Sequence, residues 1–223
     1  ALRRLRRLGA PALPPGLRAL AWRAAAHGQG RGIWLGGRHD AAGDRYKLYV
    51  GTGPAAAELL PQAAAWRPGS TTGLRLFHLG LEDSGRVELY WRRRRHEPGD
   101  LAALGRSTGL AAAASHLRAE LATLCRRDPE LALEGHRLAY SVQLDPDGRP
   151  EALALFWALS ASFLGPEPAT RAWLEARGGA DGTAPAAALW RQGLLQPSWL
   201  GLTASMQGAS AYAGLGVPRR MLR

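Results

Sequence analysis

Hydrophobic and polar positions alternate with a period of two along several short segments of this chain, the pattern of strands with one buried face. The segments come in pairs, each pair joined by a short polar or glycine-containing turn. Longer stretches between the pairs carry apolar residues at helical spacing. The predicted strand pairs are residues 32–38 with 45–51, 74–81 with 86–93, 136–144 with 150–159, and 199–206 with 209–215.

The stretches between the pairs predict helices at residues 14–26, 54–66, 101–127, 168–177 and 185–192, the longest interrupted near residues 105–109. Asp128 and Pro129 begin a further short helical turn. The sum is four hairpins with helices between them, a ββαα unit used four times. Such internal repetition constrains the whole architecture, because each unit must pack against its neighbours.

Most of the predicted strands have one apolar face and one face of Arg, Lys, Tyr, Ser, Thr and Gln. An open sheet would turn that polar face to bulk water. Eight strands can also close into a barrel, which would enclose the polar face in a lumen. The pattern alone leaves both arrangements open. The polar face of the second, fourth, fifth and last strands carries Arg45, Lys47 and Tyr49; Arg86, Glu88, Tyr90 and Arg92; Arg137, Ser141 and Gln143; Ser210 and Tyr212.

The charge composition singles out Lys47 and weakens the hypothesis that this chain binds nucleic acid. Lys47 is the one lysine among 29 basic residues, so the other cationic side chains are arginines. The net charge of +11 is typical of nucleic-acid binding. However, two local runs of arginine, at residues 3–7 and 92–95, supply eight of these charges. The basic residues therefore form two clusters and not a continuous stripe.

The cysteine count and the hydropathy pattern limit the compartment. Cys125 is the one cysteine, which excludes an internal disulfide framework and a thiolate metal cluster. This usage fits a reducing compartment, and we expect the cytoplasm. No apolar run reaches the length that a membrane-spanning helix needs, so a membrane is not expected as a partner.

The segments YKLYV at residues 46–50 and VELYW at residues 87–91, with the repeated hairpin-and-helix order, resemble the ABBA aromatic prenyltransferases. The resemblance implies an α+β fold of the PT-barrel type: an antiparallel barrel, about eight strands here, surrounded by outer helices. It implies one domain over residues 1–223. The chain has one repeat fewer than is typical of that family, so we expect an N-terminal repeat to be missing.

The same resemblance implies electrophilic aromatic prenylation inside the barrel. An allylic group would pass from an isoprenoid diphosphate, dimethylallyl or geranyl, to an aromatic small molecule or peptide. No cofactor is expected to be required, although a role for Mg²⁺ is left open. The protein is expected to be a monomer that does not bind nucleic acid. The sequence does not identify the acceptor or the isoprenoid chain length.

This chemistry assigns roles to side chains of the polar face. Cations would hold the diphosphate as the C–O bond breaks, aromatic rings would shield the allylic cation, and a carboxylate would orient or deprotonate the acceptor. For Glu88, an ion pair with the flanking Arg86 and Arg92 is the competing role. The candidates are Lys47, Arg45, Arg86, Arg137 and Arg38 for the diphosphate, Tyr49, Tyr90 and Tyr212 for the shield, and Glu88 for the carboxylate.

A rival hypothesis is a non-catalytic module that binds nucleic acid or another anion through the arginine clusters on an open antiparallel sheet. In that case Arg92–Arg95, beside Trp91, would clamp a phosphate backbone. The two hypotheses differ in the expected effect of substitutions: a prenyltransferase should depend on Lys47 and tolerate Arg93→Ala, whereas a binding module should tolerate Lys47→Ala. His78 is expected on the apolar face with Leu74 and Leu76.

Overall fold

The computed structural model describes residues 13–27, 33–40, 43–52, 74–125, 127–158, 172 and 196–216. The predicted helices at 54–66 and 185–192 lie outside these residues, and of 168–177 only Ala172 is described. The elements are, in chain order, α1 (Pro15–His27), β1 (Ile33–Asp40), β2 (Gly43–Gly51), β3 (Leu74–Glu82), β4 (Val87–Arg93), α2 (Asp100–Thr108), α3 (Ala111–Cys125), α4 (Pro129–Leu133), β5 (Leu138–Leu144), β6 (Pro150–Ala158), β7 (Gln196–Ser205) and β8 (Gly208–Gly216).

The eight strands form one antiparallel sheet in which each strand pairs with the next along the chain, from β1 to β8. The sheet curls into a half barrel, and the helices pack on its outer side. Helix α1 contacts β2, while α3 contacts β6, β7 and β8. The predicted α+β fold of repeated hairpins and outer helices is therefore confirmed.

Turn and cap residues explain where the elements break. The interruption predicted in the long helix separates α2 from α3 at Gly109, whose φ of 75° is a left-handed conformation that favours glycine. The Asp145 carboxylate and backbone close the β5–β6 hairpin through the amides of Arg149 and Gly148. Asp128 caps α4, since its carboxylate accepts hydrogen bonds from the amides of Glu130 and Leu131.

The apolar faces of the strands form the core against the helices. In β2 this face carries Leu48 and Val50, which are buried. Removing such side chains from water supplies the main driving force for this packing. None of the described helices is long and apolar enough to cross a membrane. The other fully buried leucines of the described residues are Leu79, Leu81, Leu89, Leu101, Leu104, Leu117, Leu121, Leu133, Leu138, Leu153, Leu155, Leu200 and Leu202.

Two irregularities in pairing change which side chains reach the polar face. The register between β3 and β4 shifts between Leu76 and His78, so Phe77 is an extra residue and His78 lies opposite Tyr90. The expectation that His78 shares the apolar face with Leu74 and Leu76 is therefore wrong. A plain count of alternating positions fails beyond a bulge, because the extra residue inverts the alternation.

A buried polar network lies on the helix side of the sheet, where β4 ends. The Arg93 side chain is 0% exposed; its Nε lies 2.9 Å from Asp100 Oδ2 and its Nη2 lies 2.7 Å from Glu97 Oε2. The ring of His96 hydrogen-bonds the Tyr140 hydroxyl through Nδ1 and lies 3.0 Å from Glu130 Oε2 through Nε2. Arg93 therefore joins the sheet to the segment that leads into α2.

This network corrects two expectations about the arginine run at residues 92–95. Arg93 continues the alternation of Leu89 and Trp91 on the apolar face, so its guanidinium points away from solvent and cannot clamp a phosphate backbone. Arg93→Ala cannot be a harmless substitution, because it leaves Asp100 buried without its cation. Arg94 and Arg95 are the exposed members of the run.

We predict that Arg93→Ala lowers the free energy of unfolding by about 3–5 kcal/mol, since a buried carboxylate loses its partner. Arg94→Ala is the matched control, and the exposed position predicts a change within about 0.5 kcal/mol. Chemical denaturation of both variants measures the difference. Equal stability of the two variants would contradict the buried pairing of Arg93.

Glu130 predicts a pH dependence of stability. Burial raises the pKa of this carboxyl, but the hydrogen bonds from His96 and the Gly99 amide outweigh burial and leave the pKa below its ordinary value of 4.5. A depressed folded pKa gives stability that is complete above the unfolded pKa and disappears as the pH falls through the folded pKa. We therefore expect Glu130→Gln to be less stable than the wild type at pH 7, with the difference shrinking below about pH 4.5.

Denaturation curves of both proteins between neutral and acid pH measure this difference. Glu134→Gln is the control, since Glu134 follows the same helix and is exposed. A wild-type advantage that stays constant down to acid pH would refute the assignment.

Candidate active site

Lys47 lies on the polar face of β2, between two carboxylates of neighbouring strands. Its Nζ is 2.5 Å from Glu88 Oε2 on β4 and 2.9 Å from Glu82 Oε1 at the end of β3. Burial alone would lower the pKa of Lys47, but the charges of Glu88 and Glu82 outweigh burial and raise that pKa above its ordinary value. The ammonium is therefore charged throughout the neutral range.

Glu88 is buried, and both of its oxygens have partners. Oε2 accepts from Lys47, and Oε1 accepts a hydrogen bond from the Ser141 hydroxyl on β5. The expected ion pairs with the flanking arginines are absent from the described contacts of Glu88. Arg86 instead pairs with Glu151 at 2.6 Å, and the Arg92 guanidinium lies 4.4 Å from the centre of the Phe77 ring.

Tyr49 and Tyr90 lie beside this cluster as a pair of rings. Their centroids are 5.7 Å apart, across strand β3, which carries Gly80 between them. A Cβ at Gly80 would meet Lys47 Cδ at 2.9 Å and Tyr90 Cε2 at 3.2 Å. The missing side chain thus makes room for the lysine stem and the ring. Burial raises the pKa of the Tyr49 hydroxyl, so it stays protonated at neutral pH.

The ring pair continues into a row of aromatic side chains across the sheet. The Tyr90 and Phe156 centroids are 5.5 Å apart, and those of Phe156 and Trp199 are 6.0 Å apart. Small residues on the same face permit this approach: Ser141 on the intervening strand β5 lies opposite Tyr90, and Gly201, on β7 with Trp199, lies opposite Phe156. Ring faces that partly exclude water are an environment that stabilises a carbocation.

The remaining predicted diphosphate residues fall into three groups. Arg86 reaches the same face through Glu151, which also accepts a hydrogen bond from Gln143 Nε2 at 2.5 Å. Arg137 is exposed and immediately precedes β5. Gln143, the β5 residue paired with Glu88, comes six positions later, so Arg137 and Gln143 are roughly 20 Å apart along the strand. The structure therefore does not bring Arg137 to Lys47.

For Arg38, Arg45 and Tyr212 the structure describes the backbone but not the side chain. Arg38 pairs with Arg45 at the end of the β1–β2 hairpin, and Tyr212 on β8 pairs with Gly201 on β7. These three residues therefore stay predictions.

Sequence reasoning missed several residues of the cluster. Glu82 falls between the predicted strands 74–81 and 86–93, but it is the last residue of β3 and pairs in register with Lys47. Glu151 reaches the polar face because the β5–β6 register shifts between Gln143 and Leu144. The alternation of the fifth strand does predict Ser141 on the polar face, so the sequence carries a signal for this residue. Phe156 and Trp199 are the other members that were not proposed.

A metal centre finds no support in the described part of the chain. No group of three or more His, Cys, Asp or Glu side chains lies close enough there to hold a metal ion. The acidic residues described on the polar face are instead engaged with cations: Glu82 and Glu88 with Lys47, and Glu151 with Arg86.

Comparison with known proteins identifies the fold. The chain is similar to a 6-dimethylallyl tryptophan synthase, with a TM-score of 0.64, 17% identity, and coverage of 94% of this chain and 68% of that one. It is also similar to 5-dimethylallyl tryptophan synthase from Streptomyces coelicolor in complex with DMASPP and Trp, with a TM-score of 0.56, 18% identity, and coverage of 89% and 68%. A third similar structure is the PriB binary complex with product diphosphate, with a TM-score of 0.63, 16% identity, and coverage of 94% and 66%.

These likenesses confirm the predicted resemblance to ABBA-type aromatic prenyltransferases at the level of the fold. The chain spans about two thirds of the length of these proteins. Comparison with protein-family models finds no match, and comparison with curated sequences finds none either.

We predict that Gly80→Ala lowers the free energy of unfolding by about 1–3 kcal/mol, because the added methyl group forces the Lys47 stem and the Tyr90 ring to move. Gly16→Ala is the matched control: it lies in α1 with nothing within 4 Å of the new Cβ, so it should be neutral or slightly stabilising. Denaturation of both variants measures the two effects. A neutral Gly80→Ala would contradict the close packing at Gly80.

Proposed function

We propose that the protein transfers an allylic isoprenyl group from an isoprenoid diphosphate to an aromatic acceptor on the concave polar face of the sheet. One observation carries this proposal: a charged, half-buried Lys47 lies next to the Tyr49–Tyr90 ring pair and to Glu88. A leaving anion, a carbocation and a nucleophile each need a different partner, and this cluster offers all three. The fold shared with dimethylallyl tryptophan synthases supports the same reaction class.

The first step is ionisation of the donor. The allylic C–O bond breaks, its electron pair leaves with the diphosphate, and the allylic carbon becomes cationic. Lys47 stabilises the growing negative charge, because its pKa lies above the ordinary value and the ammonium stays protonated. Arg86 adds a planar donor on the same face if it exchanges Glu151 for a diphosphate oxygen.

The second step is capture of the cation by the acceptor. The faces of Tyr49, Tyr90 and Phe156 form a surface on which the allylic cation is attracted and screened from water. A carbon of the electron-rich acceptor ring forms the new C–C bond and then loses its proton to restore aromaticity. Glu88 is the carboxyl group on this face that would orient the acceptor, and the released diphosphate accepts that proton.

The remaining features of the proposal rest on the resemblance to the ABBA prenyltransferases and on the cysteine usage. The donor is dimethylallyl or geranyl diphosphate, and the acceptor is an aromatic small molecule or a peptide side chain. The reaction requires no cofactor, since Lys47 and arginine neutralise the diphosphate, and we place it in the cytoplasm in a monomeric protein. Mass spectrometry of reactions with and without a chelator tests the metal requirement directly.

We predict that the protein, incubated with dimethylallyl or geranyl diphosphate and a panel of aromatic acceptors, yields products heavier by one isoprenoid unit. Lys47→Ala should lower turnover by about 100-fold or more, because a donor to the leaving group is lost. Arg94→Ala removes the same formal charge from an exposed position and should keep wild-type turnover. Mass spectrometry of the products measures both effects.

Two results would overturn this function. One is full turnover by Lys47→Ala. The other is the absence of any product together with no stabilisation of the fold by diphosphate analogues. Steeply salt-dependent binding of nucleic acid that survives Lys47→Ala would instead favour a binding module.

A further inference from the structure

Lys47 already holds an anion on the polar face. Glu88 Oε2 lies 2.5 Å from the lysine Nζ, and Ser141 donates to the other carboxylate oxygen, so Glu88 is fixed at the point where a bound diphosphate would need the ammonium. The side chain of Glu88 is 7% exposed and that of Glu82 is 16% exposed. Of the two carboxylates that contact Lys47, Glu88 is thus the more deeply buried.

A diphosphate that binds at Lys47 changes the surroundings of Glu88. It adds negative charge beside a buried carboxylate and takes over part of the lysine hydrogen bonding. Both changes disfavour the ionised form of a carboxyl group. A protonated carboxyl has an O–H donor, whereas the carboxylate has acceptors only. A proton on Glu88 therefore converts a repulsive contact with the diphosphate into a hydrogen bond.

We propose that Glu88 takes up one proton from solvent when the diphosphate of the donor binds at Lys47, so that an internal competitor becomes a hydrogen-bond donor to the leaving group. This inference rests on the proposed function, because it needs a diphosphate at Lys47. The Lys47 hydrogen bond moves from Glu88 Oε2 to a diphosphate oxygen, and the added proton stays on the Glu88 carboxyl. No carbon bond changes in this step.

The surroundings of Glu88 favour this residue over the other acids of the cluster as the site of the proton. On β2 and β3 the neighbouring titratable groups are already committed: Lys47 stays charged, and Glu82 is the more exposed partner of the same ammonium. Arg86, which immediately precedes β4, is held by Glu151 on β6. The titratable and charged groups on the polar face around Glu88 are Lys47 and Tyr49 on β2, His78 and Glu82 on β3, Arg86, Tyr90 and Arg92 around β4, and Glu151 on β6.

Calorimetry with inorganic diphosphate tests the proposal on the full chain. Titrations at one pH in two buffers of different ionisation enthalpy give the number of protons taken up on binding. We expect the wild type to take up about one proton more than Glu88→Gln, in which the titrating group is gone. The titration of the diphosphate itself is common to both proteins and cancels in this comparison. Glu134→Gln, an exposed acid outside the polar face, should match the wild type.

The affinity for inorganic diphosphate gives a second readout. Glu88→Gln lacks the competing charge, so we expect it to bind about tenfold more tightly than the wild type near pH 8. The gap should narrow as the pH falls, because protonated Glu88 resembles the amide. If Glu88→Gln does not fold, infrared difference spectra of the wild type with and without diphosphate replace it, and a protonated-carboxyl band must appear on binding.

The outcomes separate this inference from the proposed function. Equal proton uptake by the wild type and Glu88→Gln, or an infrared spectrum without the carboxyl band, overturns the role of Glu88 and leaves prenyl transfer standing. Failure of every protein, variants included, to bind inorganic diphosphate or a non-reactive donor analogue overturns the proposed function itself.

Discussion

The burial of one face of the antiparallel sheet under the helices is the constraint on which the rest of this molecule depends. Successive side chains of a strand point to opposite faces, so the burial of Leu48 and Val50 commits Lys47 and Tyr49 to the other side. The curl of the sheet makes that side concave. Polar and aromatic groups from separate hairpins then converge, although each hairpin contributes only a few of them.

Convergence changes the chemistry of the individual groups. A lysine on a flat, wet sheet would be a solvated charge, and its ion pairs would contribute little. Lys47 is half-buried between two carboxylates, so its charge is stabilised and its position is defined by β3 and β4. The same neighbours already occupy the ammonium, so any incoming anion must compete with Glu88 for it. The site therefore combines a cation suited to an anionic ligand with an acid that opposes anion binding.

Unlike the cluster around Lys47, the polar network around Arg93 has a structural role. It lies on the helix side of the sheet, its groups are paired with one another, and it connects β4 to the start of α2. Arginine runs are commonly read as ligand-binding clusters, yet position within the strand alternation decides the role of each member. Arg93 is a buried structural residue, while its neighbours Arg94 and Arg95 face solvent.

The alternation of residue types by itself determined the four hairpins, the faces of regular strands and the place of Lys47, Tyr49, Glu88 and Tyr90 on one side, because these follow from local periodicity. Tertiary structure alone decided the partners. Glu82 reaches Lys47 through the β2–β3 register, and bulges invert the alternation wherever they occur. Register and bulges depend on the packing of whole strands against each other, which no short segment of sequence encodes.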